Sequence, residues 1–98
     1  MLKKRFFKTK DEAEVTFEYS GNGAENVAIV GEFNDWEPVE MDFVKRDEAF
    51  RARVRLPKGE NFQFRYLLDG ESWANDDEAD DYVGNEFGSK NSVVSTIE

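Results

Sequence analysis

Residues 14–19, Glu-Val-Thr-Phe-Glu-Tyr, alternate without a break between polar and apolar positions, with Val15, Phe17 and Tyr19 on one side and Glu14, Thr16 and Glu18 on the other. A period of two is the pleat of a strand with one face in a core and the other in water, so this segment predicts a half-buried β-strand. Residues 50–56 repeat the pattern, with Phe50, Ala52, Val54 and Leu56 sharing one face and Arg51, Arg53 and Arg55 the other. After the turn Pro57-Lys58-Gly59, a third alternating run sets Phe62, Phe64, Tyr66 and Leu68 inward and Gln63, Arg65 and Leu67 outward. It ends at Asp69-Gly70, a tight-turn dipeptide.

Other segments carry weaker patterns. Asn26 to Val30 is apolar and β-branched, which fits a strand ending at Gly31 and entered through the turn Ser20 to Ala24. Met41 to Lys45 predicts a short strand with Met41 and Phe43 facing one way, and Ser92 to Ile97 predicts a closing strand. From Asn75 to Asp81 the chain is acidic and aperiodic, which predicts a solvated loop. No segment shows the 3.6-residue period of an amphipathic helix. Short strands, Gly/Pro/Asn turns and no room for crossover helices together predict an all-β antiparallel sandwich.

The 98 residues suit one domain, taken as residues 13–98, preceded by residues 1–12 as a basic arm or edge strand. Thirteen basic residues face 22 acidic ones for a net charge of -9. Five of the bases, Lys3, Lys4, Arg5, Lys8 and Lys10, fall in residues 1–10, which hold no acid, so residues 11–98 carry -14, that is -9 minus 5. Such a body repels phosphate backbones, and neither nucleic acid nor a membrane is an expected partner. No stretch approaches the ~20 apolar residues of a membrane span, and the basic N-terminus lacks the apolar segment of a signal peptide, so a soluble, cytoplasmic protein is expected. The absence of cysteine and histidine removes disulfides, thiolate nucleophiles, imidazole bases and the usual zinc ligands. No cofactor is implied. The acids between Asp76 and Asp81 lack the spacing and glycine of a calcium loop.

Both tryptophans fall beside turns. Trp36 follows Asn34-Asp35 and precedes Pro38, while Trp73 follows the Asp69-Gly70 turn. Loops at neighbouring sheet edges bring such residues together, and a pyranose ring packs its C–H face on a flat indole while its hydroxyls reach sideways to donors such as Arg65. The competing structural expectation is that each indole caps the open end of the sandwich. The arginines of residues 51–55 either pair with neighbouring carboxylates or face an acidic partner.

Gly-x-Phe-Asn-x-Trp from Gly31, Tyr-x-x-Asp-Gly-x-x-Trp from Tyr66, and Phe-Gly-x-x-Asn from Phe87 stand in order along the chain. The combination resembles a family 48 carbohydrate-binding module, including the isoamylase N-terminal early-set domains and, above all, the glycogen-binding domain of the AMP-activated protein kinase β subunit. The resemblance covers residues 13–97. It implies an immunoglobulin-like sandwich that binds α-1,4-linked glucan between Trp36 and Trp73, with Arg65 as the basic contact and Phe87, Ser89 and Asn91 as the late-loop contacts. Three departures bear on the fit. Arginine stands where the kinase domain has lysine, Phe87 where it has leucine, and one extra residue separates Gly70 from Trp73.

The implied function is non-catalytic binding of glycogen, starch or maltooligosaccharide. The alternative is a regulatory or scaffold module that docks on a protein such as a glucan-metabolising enzyme or a kinase-like partner, with weak or no sugar binding. An enzymatic reading ranks last, because it needs two carboxylates about 5–10 Å apart flanking a cleft.

Overall fold

A computed structural model describes residues 2–20 and 23–97; the Gly21-Asn22 part of the expected turn lies outside them. The strands are β1 (Leu2–Phe6), β2 (Glu12–Tyr19), β3 (Val27–Gly31), β4 (Val39–Glu40), β5 (Asp42–Val44), β6 (Ala49–Pro57), β7 (Asn61–Leu68), β8 (Ser72–Ala74), β9 (Asp81–Gly84) and β10 (Lys90–Ser95), with a 3₁₀ turn at Glu32–Asn34. A four-stranded sheet runs β1-β2-β6-β5, and a six-stranded sheet runs β4-β3-β7-β10-β9 with β8 paired to β7. Every ladder is antiparallel. Among the described residues no helix is long and apolar enough to cross a membrane.

The alternating runs become the central strands, and their apolar faces meet between the sheets. Val15 and Phe17 from β2 pack with Val27 and Ile29 from β3, Phe64 and Tyr66 from β7, and Val94 from β10, all buried. Phe17 meets Phe64 edge-on, with ring centroids 5.0 Å apart and planes at 70°. The all-apolar β3 is buried at every position, so the outer face of the six-stranded sheet is covered there as well. Buried Thr96 ties the β6–β7 hairpin to the end of β10, its hydroxyl donating to the Pro57 carbonyl at 2.7 Å, with the Glu60 carbonyl an alternative acceptor at 3.1 Å, and accepting from the Glu60 amide.

Four expectations need correction. The Met41–Lys45 strand is shorter, and its neighbours divide between sheets: β4 belongs to the six-stranded sheet, β5 to the other, and Met41 is buried between them. Phe43 packs edge-on against Phe50 yet stays 54% exposed, because β5 is the last strand of its sheet and nothing covers its far side. Trp73 lies on strand β8 rather than in a loop. The acidic segment is not wholly solvated. It leads into β9, and Asp76 is 1% exposed, its carboxylate accepting the Tyr66 hydroxyl at 2.7 Å while its amide donates to the Ser92 hydroxyl at 2.9 Å. Burial and the adjacent Asp76 charge both push the Tyr66 hydroxyl well above its ordinary pKa.

Candidate functional site

The outer face of the six-stranded sheet is assembled from three directions. On the first, β3 ends at Gly31, where a Cβ would come within 2.8 Å of the Gln63 carbonyl and 2.9 Å of Phe64 Cβ, so only glycine lets β3 and β7 approach. The Asn34 carboxamide then closes the turn, accepting from the Gly31 amide at 2.9 Å and donating to the Ile29 carbonyl at 3.2 Å. The Trp36 amide donates back to the Gly31 carbonyl at 2.8 Å. Asp35 and Trp36 both adopt left-handed backbone, at φ 56° and 61°. For a bulky residue this costs roughly 1–3 kcal/mol, and it persists because the surrounding hydrogen bonds over-determine it. The product is an indole held 41% exposed.

From the second direction comes the β7–β8 hairpin. Asp69 and Gly70 take positive φ, and the Asp69 carboxylate accepts from the amides of Glu25 and Asn26, each at 2.9 Å. The register pairs Trp73 with Leu67. Directly paired residues share a face, so the indole, half exposed, stands on the outer side with Arg65. The Arg65 guanidinium carbon lies 5.4 Å from the centroid of the Trp73 ring, and its Nε is buried without a hydrogen-bond partner.

The third contribution is the β9–β10 loop, organised by Asn85. Its carboxamide oxygen accepts from the amides of Phe87 (2.9 Å) and Ser89 (3.2 Å), and its nitrogen donates to the Ser89 hydroxyl (2.8 Å) and to Asn91 Oδ1 (3.2 Å). Asn91, buried, donates in turn to Gln63 Oε1 at 3.0 Å, while the Gln63 backbone N–H donates to the Glu32 carboxylate at 2.6 Å. Side-chain bonds therefore run from the late loop across β10 to Gln63 of β7, whose backbone N–H makes the last link, to the turn that carries Trp36. Phe87 projects from the top of the loop, 85% exposed.

Trp36, Arg65, Trp73, Asn85, Glu86, Phe87 and Asn91 line one open cavity of about 570 Å³. Five of the six residues expected from the sequence are thus brought together. Ser89 stands behind the lining, bonded to Asn85. Asn85, Glu86 and Gln63 were not anticipated. The turn-forming character of Asn85 was visible in Asn-x-Phe-Gly, but its bond to a side chain six residues on was not. Among the described residues, Glu86 is the single carboxylate lining the cavity. Both indoles are partly exposed and line the cavity. What the arrangement offers is two flat aromatic surfaces, amides and one cation, in a shape open along its length.

The opposite face has a different chemistry. Arg51 meets Glu18 at 3.2 Å and Asp47 at 2.6 Å, Arg55 meets Glu12 at 3.8 Å, and Lys3 meets Glu18 at 3.1 Å. Burial raises the Glu18 pKa, but its bonds with Lys3 and Arg51 outweigh this and hold the carboxyl below its ordinary value. The basic arm is the edge strand β1, paired with β2, and Lys4 reaches Asp80 at 2.6 Å. Phe7 lies beneath the guanidinium groups of Arg5 and Arg55.

The family profile described as the glycogen recognition site of AMP-activated protein kinase matches residues 13–98. No curated protein matches the chain at a significant level.

Proposed function

We propose that the chain, which belongs to the family of the AMP-activated protein kinase glycogen recognition site, is a non-catalytic module that binds α-1,4-linked glucan across the outer face of its six-stranded sheet. The observation that carries this reading is the shared cavity in which two half-exposed indoles flank Arg65, with the Asn91 amide at its wall. Exposed aromatic rings held on stiff backbone make little sense as core, and a glucan chain supplies the two things they lack. Its pyranose C–H faces remove indole surface from water, at about 25 cal/mol per Å². Its hydroxyls give hydrogen-bond partners to the Arg65 guanidinium, which lines the cavity.

In this reading Trp36 and Trp73 are stacking surfaces for successive sugars, and Arg65, packed on Trp73, presents its fork to hydroxyls at their edge. Asn91 orients the chain through its amide, while Phe87 extends the apolar surface over one side. Ser89 acts through Asn85, whose carboxamide it holds. The near-balance of one cation and one carboxylate in the lining suits a neutral polymer.

Titration of intrinsic tryptophan fluorescence with maltoheptaose and glycogen, using cellohexaose as control, tests the reading. A saturable change with the α-glucans alone supports it. No response to any sugar overturns it and favours a face that docks protein.

A further inference from the structure

Trp73 and Asn91 reach the cavity from strands β8 and β10, which lie one after the other along the same edge of β7 and are not paired with each other. The ladder relates the indole and the amide only through β7, with no direct bond between β8 and β10. Asn75, the first residue after β8, spans that junction. Its Nδ2 donates to the Lys90 carbonyl at 2.8 Å, and its Oδ1 accepts from the Ser92 amide at 3.1 Å and from the Ser92 hydroxyl at 2.9 Å. Lys90 and Ser92 are the two chain neighbours of Asn91. One carboxamide thus brackets Asn91 from both sides, offering the donor and acceptor that a strand residue would offer in a ladder. It does so two residues from Trp73, without lining the cavity.

We propose that Asn75 is a positioning residue for the glucan site, fixing the distance and tilt between the Trp73 indole and the Asn91 amide. This rests on the glucan-binding reading above. A sugar seated on an indole reaches a neighbouring amide only if the two are held to within roughly 0.5 Å, because hydrogen bonds weaken steeply outside 2.7–3.2 Å. Asn75 adds a direct tie between β8 and β10, which are otherwise related only through β7. Asp76, next in the chain, adds a second tie from its amide to the Ser92 hydroxyl, which anchors the loop but does not reach the Lys90 side of Asn91.

The test is a double-mutant cycle on maltoheptaose affinity with wild type, Asn75→Ala, Asn91→Ala and the double variant. Asn75→Ala is expected to weaken binding about tenfold in the wild-type background and by less than twofold where Asn91 is already alanine, since there is then no amide left to place. With Trp36→Phe leaving Trp73 as the sole indole, Asn75→Ala should also raise acrylamide quenching of Trp73 before any sugar is added. A purely structural role instead predicts an equal loss in both backgrounds alongside a lower melting temperature, and that result overturns the proposal, as does unchanged affinity of Asn75→Ala. If Asn75→Ala does not fold, Asn75→Asp, which keeps the acceptor for Ser92 and loses the donor to Lys90, carries the same cycle. Wild-type protein that binds no glucan overturns the functional reading and this inference with it, whereas binding by wild type with an additive cycle sinks this inference alone.

Discussion

The outer faces of the two sheets are built from the same alternating pattern and end in opposite states. On the four-stranded sheet the register sets Glu14 opposite Arg55 and Glu18 opposite Arg51, and Arg51 and Arg55 find carboxylates in Glu18, Asp47 and Glu12. Such pairs are solvated, screened by salt and weak, and they leave little for a ligand to satisfy. On the six-stranded sheet one cation and one carboxylate stand among neutral carboxamides bonded to one another, and the large groups beside them are half-exposed indoles. Alternation makes a face; a binding face needs groups that are held rigid by their neighbours without being used up by them. The left-handed Trp36, the buried Arg65 Nε and the bracketed Asn91 are three forms of that condition.

The sharpest way to break the contrast is to remove one group from each face. Trp36→Ala should abolish retention on glycogen, a loss of at least about 2 kcal/mol or roughly thirtyfold, whereas Arg53→Ala on the other face should leave retention unchanged and stability within about 0.5 kcal/mol. Affinity electrophoresis in glycogen reports both, and a loss with Arg53→Ala would erase the distinction between the faces. Beneath the binding face, Asp76→Ala leaves the buried Tyr66 hydroxyl without its partner and should cost about 2 kcal/mol in urea unfolding. A cost under half of that would mean that the loop after Trp73 is held by something other than this pair. Asn85→Ala removes the bonds that shape the late loop, and a fivefold to tenfold weaker maltoheptaose affinity is expected with about 1 kcal/mol of stability lost; calorimetry and thermal melts separate the two.

The smallest effect belongs to the charged face and to pH. Because the folded Glu18 carboxyl lies below its ordinary value, its contribution is complete above about pH 4.5 and fades as the pH falls through the lower folded value. Glu18→Gln should therefore flatten the stability curve on the acid side of pH 4.5 and leave sugar affinity at pH 7 untouched. An unaltered acid limb would show that the Lys3 and Arg51 pairs contribute nothing in solution.

How much was legible follows from how local each signal is. The inward faces of β2, β6 and β7 could be read residue by residue, because unbroken alternation along a whole segment matches the pleat of a half-buried strand and no helical period. Trp36, Trp73, Arg65 and Asn91 could be named from turn chemistry and family spacing. Strands β4, β8 and β9 could not, being two to four residues long and mostly exposed, so that pairing with a neighbour rather than any pattern of their own makes them strands. Asp76 illustrates the same limit in reverse. It sits in a run of acids that reads as solvated, yet a tyrosine ten positions earlier draws it into the interior.

The sequence by itself determined which residues face inward on the long strands and that the chain is all-β, since each of these depends on periods and turns a few residues in length. Only the tertiary structure decided that β4 and β5 part into different sheets, that Asn85 and Gln63 join the late loop to the Trp36 turn, and that Asn75 bridges two strands which share an edge without pairing. Those outcomes depend on contacts between residues distant along the chain, and a hydrogen bond across such a distance leaves no period in the sequence from which it can be read.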